Sequence, residues 1–400
     1  MSKSVFVHIY LLLWNVYWLQ GVLLPSGRLV SQSLLAILLL VSVFYFCVAI
    51  FRYKLPKVLK TLSIIIGVFT IYGVIAIVSG DSFTIIESGS TSVDAFDYLK
   101  NIYISLLPIY VIFVSTRKGH LNEKRMRFWA IVFLVVAIID FYHFQSVAMS
   151  SLAARGLGAD DITNNRAYVV ISIVAFIPLF YRKPVFQYAI LAICLYFALI
   201  GMKRGALICG IISTSWFFFN SIKAERKSSR TILILLLSFV VVFLFIFLVD
   251  NLLASSDYFV RRVEDSLAGD SSNRSAIYYG LINHLLNETN AFRFLFGNGA
   301  NATLNITINY AHNDWLEIAI NNGLIMVVVY LIYWVRMFTS IRRSKKDTVC
   351  HMILALFFII YFLKTFFSMS YASIPICAAT AFGYAIARYS INQESEERPR

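Results

Sequence analysis

The sequence predicts an all-α polytopic membrane protein with about twelve transmembrane helices and one large, partly helical external loop. Three observations support this fold class: 59% of the 400 residues are hydrophobic, only 14% are charged, and several apolar runs exceed eighteen residues. Runs of that length are long enough to cross a bilayer as helices. They are too continuously apolar for barrel strands, and backbone groups in lipid must be paired within their own segment, so helices are expected.

The predicted spans divide the chain into blocks. Nine spans fall within residues 1–250 and three within 322–389, while 251–321 forms a loop subdomain and 390–400 a tail. The first span carries Trp14 and Trp18 and lacks a small-residue cleavage site at its end, which argues against a secretory signal. The spans are predicted at 5–24, 29–51, 58–79, 99–115, 128–149, 165–181, 185–202, 205–220, 231–250, 322–341, 349–367 and 373–389.

The basic residues predict the orientation of these spans. With a cytoplasmic N-terminus, twenty-four of the 35 lysines and arginines fall on the cytoplasmic side, ten fall on the external side, and Lys364 lies inside a span. Because basic loops stay in the cytoplasm, both termini are expected there. The net charge of +14 is then explained by topology and contact with anionic membrane lipids, not by nucleic acid.

Several kinds of chemistry have no sequence support. The five cysteines all lie in predicted spans, without metal-ligand spacing and without a pattern that indicates a disulfide framework. The chain has no P-loop, GxGxxG, GxSxG or HExxH motif. No cofactor and no metal site are therefore expected, and candidate function concentrates in the external segments.

The stretch NYAHNDWLEIAINNG, residues 309–323, is the first candidate site. Asn313 or Asp314 can cap a short helix that ends at Gly323, where glycine suits a left-handed conformation. His312 would stand just before the N-terminus of that helix, and an imidazole there can accept a proton from a hydroxyl near neutral pH. An interfacial histidine that only bonds its own loop is the alternative.

Basic residues on the same predicted side form further candidates. Arg274 follows the cap candidates Asp270 and Ser271 in a helix with apolar Ile277, Leu281 and Leu285. A cation in the first turn is unfavourable unless an anion shares the site, or unless Asp265 or Asp270 satisfies the arginine.

A tight external turn contributes a second set of cations. Lys203 and Arg204 lie between Gly201 and Gly205, against the positive-inside trend, with snorkelling to head groups as the alternative. Arg166 is a fourth candidate at the external end of another span. Guanidinium forks match phosphate oxygens in pairs, so arginines at such positions suit a pyrophosphate.

The order of these motifs resembles the O-antigen polymerase and O-antigen ligase superfamily of bacterial inner-membrane glycosyltransferases. The matching pieces are MKRGALICG after the seventh span, DSSNRSAIYYG and FLFGNG in the large loop, and AHNDWLEIAINNGLI leading into the tenth span. The similarity covers about residues 160–340 and implies a GT-C-like membrane fold. One departure is INNG, which replaces the usual acidic residue before the glycine and leaves the role of Glu317 as the helix acid open.

The resemblance implies a mechanism without metal or cofactor. Arg204 and Arg274, with Arg166 and Lys203 as further candidates, would hold the pyrophosphate of an undecaprenyl-pyrophosphate-linked oligosaccharide. His312 would deprotonate the acceptor hydroxyl, with Asn313 and Glu317 in support, and the sugar carbon would be inverted. The cations would stabilise charge on the leaving undecaprenyl pyrophosphate.

The resemblance favours a polymerase, whose acceptor is another lipid-linked repeat unit, over a ligase, whose acceptor is lipid A-core. It implies an inner-membrane enzyme with a periplasmic active site, and a chain-length regulator and a flippase as candidate partners. A lipid-linked oligosaccharide flippase is the alternative from another class. The absence of an internal repeat, with only Lys364 and Asp140 deep in spans, disfavours it.

Overall fold

A computed structural model of the chain describes residues 3–24, 29–85, 91–153, 163–224, 228–255, 260, 264, 274–307 and 309–397. Within these residues the chain is almost entirely helical. The first part comprises α1 (Lys3–Trp18), α2 (Leu29–Arg52), α3 (Lys57–Ser79), β1 (Ser82–Ile85), β2 (Thr91–Asp94), α4 (Ala95–Leu106), α5 (Pro108–Arg117), α6 (Glu123–Ala153), α7 (Ala167–Ser172), a 3₁₀ helix (Ile173–Phe180), α8 (Pro184–Ile200), α9 (Arg204–Ala224) and α10 (Ser228–Ser255).

The second part contains the predicted external loop and the last spans. It comprises α11 (Arg274–Leu286), α12 (Ala291–Phe296), α13 (Thr303–Thr307), α14 (Asp314–Arg343), α15 (Thr348–Phe367) and α16 (Ile376–Glu397). Helix α14 contains one non-helical residue, Gly323, at which it kinks.

The helices define a multi-pass membrane protein. Each of the twelve predicted spans overlaps a helix or a pair of consecutive helices. Eight helical segments of the described chain are long and apolar enough to cross a membrane, and three more, 5–18, 167–180 and 184–200, are apolar but shorter. The predicted span at 165–181 corresponds to the shorter segment 167–180, whose second half is a 3₁₀ helix that contains Pro178.

One short element departs from an all-helical chain. Strands β1 and β2 pair antiparallel, with Phe83 opposite Val93. They form a hairpin in the segment between the predicted spans 58–79 and 99–115. Asp94 ends β2 and also caps α4 through its side chain, which accepts a hydrogen bond from the Asp97 N–H at 2.8 Å.

The last helix packs against the centre of the bundle. Helix α5 is buried from Pro108 to Thr116 and contacts α16. Small residues on α16 allow this approach: a Cβ added at Gly383 would lie 2.7 Å from the carbonyl oxygen of Ile109. Helix pairs in membranes commonly pack closely through small residues of this kind.

The segments predicted to be cytoplasmic meet at one end of the bundle. Arg117 makes two 2.8 Å hydrogen bonds to the carboxylate of Glu394. Arg388 pairs with Asp347 at 2.7 Å and with Glu123 at 3.6 Å. The predicted tail 390–400 is helical through Glu397, and Glu394 binds it to the bundle.

The segments predicted to be external meet at the other end. The hairpin contacts α13, and the hydroxyl of Tyr72 on α3 donates to the carbonyl of Phe296 on α12. A separate apolar cluster joins α11 to the start of α14 and the residues between them; its buried members are Ile277, Leu281, Ala302, Ala311 and Ile320. The predicted periodicity of Ile277 and Leu281 matches this buried face.

Two predicted boundaries fall inside helices. Helix α10 runs to Ser255, beyond the boundary at 250, and α14 crosses the boundary at 321 with its kink at Gly323. The cap candidates Asp270 and Ser271, and the alternative partner Asp265, lie outside the described residues.

Candidate functional site

His312 occupies a strained position in front of α14. Its backbone φ is +51°, a left-handed value that is uncommon for a residue with a side chain. The next residue, Asn313, caps α14 by accepting from the N–H groups of Trp315 (2.9 Å) and Leu316 (3.2 Å). Strained backbone of this kind persists only where surrounding contacts hold it, and it is frequent at functional sites.

Two buried carboxylates hold the histidine loop. Glu317 accepts from the Ala311 N–H at 2.8 Å and from the hydroxyl of Thr303 at 2.5 Å. Because Asn313 is the cap, Asp314 is the first residue inside the helix. The helix therefore has two acids in its first turn, Asp314 and Glu317. Asp314 accepts from the Tyr330 hydroxyl and from the N–H of Ser370, both at 2.6 Å. The two acids therefore position the backbone on both sides of His312.

The turn that contains Gly297 closes the short first part of α14. The N–H groups of Asn298 and Gly299 donate to the carbonyls of Ile320 (2.9 Å) and Asn321 (3.0 Å). Both Gly297 and Gly323 have positive φ, and a Cβ on either would collide with backbone of the other segment. The turn at Gly297 and the helix end at Gly323 thus form one structural unit, and Gly323 ends the short helix as predicted.

A cavity of about 520 Å³ lies beside His312. Side chains from α1, α4, α6, α7, the turn before α9, the histidine loop and the α15–α16 connection line it. Its acidic, basic and histidine lining residues among those described are Asp140, His143, Arg166, Lys203, His312 and Lys364. Three of the predicted site residues, His312, Lys203 and Arg166, therefore meet around one space.

The electrostatics around His312 keep its imidazole neutral. Burial lowers the pKa of His312 to about 4, and the positive charges of Arg274 and Lys203 act in the same direction. Within the described residues no side chain or backbone group hydrogen-bonds the imidazole. A neutral imidazole that faces a cavity and has no fixed partner can accept a proton from a bound hydroxyl.

Arg274 is the first residue of α11 and is partly buried. Its charge acts on His312 and on the hydroxyl of Tyr168, which lines the cavity. No carboxylate of the described residues lies within ion-pair distance of it. The charge of Arg274 therefore reaches His312, 38 positions later in the chain, although Arg274 is not among the residues that line the cavity.

Lys203 and Arg204 occupy the turn between α8 and α9. The left-handed residue of this turn is Met202, with φ +51°, whereas Gly201 is right-handed. Gly201 serves close packing instead, since an added Cβ would lie 2.9 Å from the Cβ of Ala167. Lys203 lines the cavity; Arg204 begins α9 beside it and is not among the lining residues.

Arg166 forms an ion pair with a buried carboxylate. Its Nε lies 3.0 Å from Asp140, which is 4% exposed and also accepts from the indole N–H of Trp18 at 2.8 Å. This link joins α1, α6 and the residue before α7. The predicted phosphate role is thereby limited to the guanidinium donors that Asp140 does not use.

Sequence reasoning missed two cavity residues, Lys364 and Tyr168. The ammonium of Lys364 donates to the carbonyl and hydroxyl of Ser373, both at 2.8 Å, and lies 5.2 Å from the ring centre of Tyr168. The signal for Lys364 was available, because an ionisable residue inside a span is a functional candidate by default. Tyr168 carried no comparable signal.

No family model matches the chain, and no curated protein matches it. The fold and site define a class by themselves: a helical, multi-pass membrane protein with a cation-rich cavity at the end of the bundle where the 274–321 segment packs. Among the described residues, no group of three or more His, Cys, Asp or Glu side chains could hold a metal ion.

Proposed function

We propose that this protein is a metal-independent, inverting glycosyltransferase of the bacterial inner membrane that joins lipid-linked oligosaccharide units. The observation that carries the proposal is that His312 and Lys203 line one cavity, where burial and the charges of Arg274 and Lys203 lower the pKa of His312. Activation of a hydroxyl requires a base, and departure of a diphosphate requires cations. Both kinds of group meet here.

The reaction would proceed in one displacement. His312 accepts the proton of the acceptor hydroxyl as its oxygen attacks the anomeric carbon of the donor sugar. The bond from that carbon to the diphosphate oxygen breaks, and the electron pair leaves with undecaprenyl pyrophosphate. Arg274 and Lys203, with the free donors of Arg166 and with Arg204 beside them, offset the charge that develops on the leaving group.

The polymerase is the preferred form of this activity. The donor and acceptor are then both undecaprenyl-pyrophosphate-linked repeat units, the active site faces the periplasm, and both termini are cytoplasmic. A chain-length regulator and the flippase that delivers the donor are the partners such an enzyme would have. The clustering of the predicted external segments at the cavity end supports a single external site.

Deletion of the gene tests the proposal directly. Loss of a polymerase should leave lipopolysaccharide that carries a single repeat unit, visible as one band on a gel, and the wild-type gene should restore the ladder. Core with no repeat unit would indicate a ligase, and accumulation of donor on the cytoplasmic face would indicate a flippase. Either of the latter results would contradict the polymerase.

A further inference from the structure

Helix α12 carries an exposed apolar face. The side chains of Phe292, Leu295 and Phe296 are all exposed, Phe292 by 67%, and their spacing puts them on one side of the helix. The ring centres of the two phenylalanines are 4.8 Å apart, so the three side chains form one patch. An exposed patch of large apolar groups marks a surface that contacts another apolar phase or molecule.

The contact with α3 places this patch beside a membrane span. Tyr72 of α3 donates its hydroxyl to the carbonyl of Phe296. Tyr72 lies seven residues before Ser79, the last residue of α3, which corresponds to about 10 Å along a helix. Ile75 and Val78 lie between Tyr72 and that end, and both are exposed. The apolar surface that α3 presents to lipid therefore extends beyond the level of Phe296 and is continuous with the patch.

The contact with α14 indicates the same depth. A Cβ added at Gly323 would collide with the carbonyl oxygen of Leu295, so the end of α12 lies against the kink of α14. After the kink, α14 continues through residues 324–343. A helix of this length spans about 30 Å, the thickness of the hydrocarbon core of a bilayer. Leu295 therefore lies where α14 enters the membrane.

The two levels agree when they are measured from the opposite end of the bundle. Arg336 of α14 donates to the hydroxyl of Thr61 on α3 at 2.6 Å. From this bond, Tyr72 lies eleven residues along α3 and Gly323 lies thirteen residues back along α14, about 16 Å and about 20 Å. Both contacts of α12 are thus at a similar depth, on the side of the membrane where His312 lies.

The backbone at both ends of α12 has the hydrogen bonds that a lipid environment requires. At the start, the side chain of Asn290 accepts from the N–H groups of Phe292 (3.0 Å) and Arg293 (3.3 Å). At the end, the carbonyl of Arg293 accepts from the Gly297 N–H at 2.7 Å, and the carbonyl of Phe296 accepts from Tyr72. A short helix with these groups paired can enter the apolar region.

We propose that α12 is a membrane anchor that inserts into the leaflet on the cavity side, with Phe292, Leu295 and Phe296 against lipid acyl chains. Exposed Arg293, beside this face, is long enough to place its guanidinium among the head groups. The segment 291–296, which the sequence assigned to an external loop, is then an interfacial helix.

The anchor connects the bilayer to the histidine loop. The turn that follows α12 bonds to the carbonyls of Ile320 and Asn321, in the short helix that begins after His312. The depth of α12 in the leaflet therefore sets the level of His312 above the lipid.

Spin labelling of the full-length protein in nanodiscs of phosphatidylethanolamine and phosphatidylglycerol tests the anchor. Of the five cysteines only Cys47 is exposed, so Cys47→Ser provides the background, and Phe292→Cys carries the nitroxide. Oxygen concentrates in the hydrocarbon region, whereas a nickel chelate stays in water. Oxygen should relax the label at position 292 more strongly than the nickel chelate does, and Leu295→Cys should give the same result.

Two matched positions calibrate the measurement. Ile75→Cys, on the lipid-facing surface of α3, should behave as the label on α12 does. Lys345→Cys, in the exposed connection between α14 and α15, should show the reverse preference. A label on α12 that follows Lys345→Cys would overturn the anchor, because the patch would then face water. Protection from both reagents would also overturn it, because a second protein molecule would then cover the patch.

Discussion

The two ends of the helix bundle treat their charged residues in opposite ways. At the end where α5, α15 and α16 meet, each arginine of the contact has a carboxylate: Arg117 pairs with Glu394, and Arg388 with Asp347. At the cavity end, Arg166, Lys203 and Lys364 line one space, and Asp140 is the one acid among the described lining residues.

We infer from this difference that the paired end stabilises the fold and that the cavity end binds a ligand. Paired charges at the first end compensate one another and connect helices that are distant in sequence. Among the described residues that line the cavity, cations outnumber acids, which agrees with the anionic substrate of the proposed function. Substitutions at the cavity end should therefore change glycan transfer, and substitutions at the paired end should change the free energy of unfolding.

The largest effect is expected for His312→Gln. Without the base, transfer should fall on the order of a thousandfold, while the fold persists because Asn313, Asp314 and Glu317 still hold the loop. The measurement is polymer formed in a reconstituted assay with a lipid-linked repeat unit. His351→Gln, at the paired end, is the matched control and should transfer normally; normal transfer by His312→Gln would remove the base from the mechanism.

Arg274→Gln should come next, with a loss on the order of a hundredfold in glycan transfer. The reason is that its charge acts on His312 and that it has no carboxylate partner among the described residues. Arg293→Gln is the control, because Arg293 lies in the same loop region but is exposed on α12. Equal rates for the two variants would show that Arg274 only contributes to the general charge of this end.

The pH dependence of transfer should distinguish the cavity from an ordinary surface. Because the pKa of His312 is lowered to about 4, the free enzyme should keep its base neutral well below pH 6.5, and kcat/KM should fall only as pH approaches about 4. Lys203→Gln removes a cation that disfavours the protonated imidazole, so the acid limb should move to higher pH. An acid limb at 6.5 in both proteins would contradict the environment assigned to His312.

The same pKa has a consequence for folding. The unfolded chain protonates this histidine near pH 6.5, whereas the folded chain does not until about pH 4. The contribution of His312 to stability is therefore constant above pH 6.5 and declines as the pH falls from 6.5 towards 4. Thermal unfolding of the wild type and His312→Gln across this interval measures the difference.

The smallest effect on transfer is expected at the paired end. Arg388→Met removes contacts to Asp347 and Glu123 and should lower the free energy of unfolding by about 1–2 kcal/mol. Transfer per folded molecule should remain at the wild-type rate. A loss of transfer as large as that of Arg274→Gln would mean that the two ends are coupled, and the comparison between them would fail.

Local sequence features predicted much of the helical framework. Each span predicted from an apolar run overlaps a helix. Asn313 and Gly323 lie at the start and end of the short helix that follows His312, as expected. These features depend on backbone pairing in lipid and on local capping, which neighbouring residues determine.

Contacts between distant segments could not be predicted in the same way. Trp18, Asp140 and Arg166 join three segments through their side chains. Lys364 lines the cavity from α15, for which the sequence predicted only a membrane span. The hairpin of β1 and β2 was also missed, although Phe83, Thr84 and Ile85 are residue types that favour strands and a Ser-Gly-Ser turn signal follows them.

The amino-acid sequence by itself determined that the chain is helical and membrane-embedded, because a long apolar run has few other ways to satisfy its backbone. Only the tertiary structure decided which cations share a cavity with His312 and which are paired elsewhere. Those choices depend on how the helices pack, and packing sets the distances and burial that give each charge its partner.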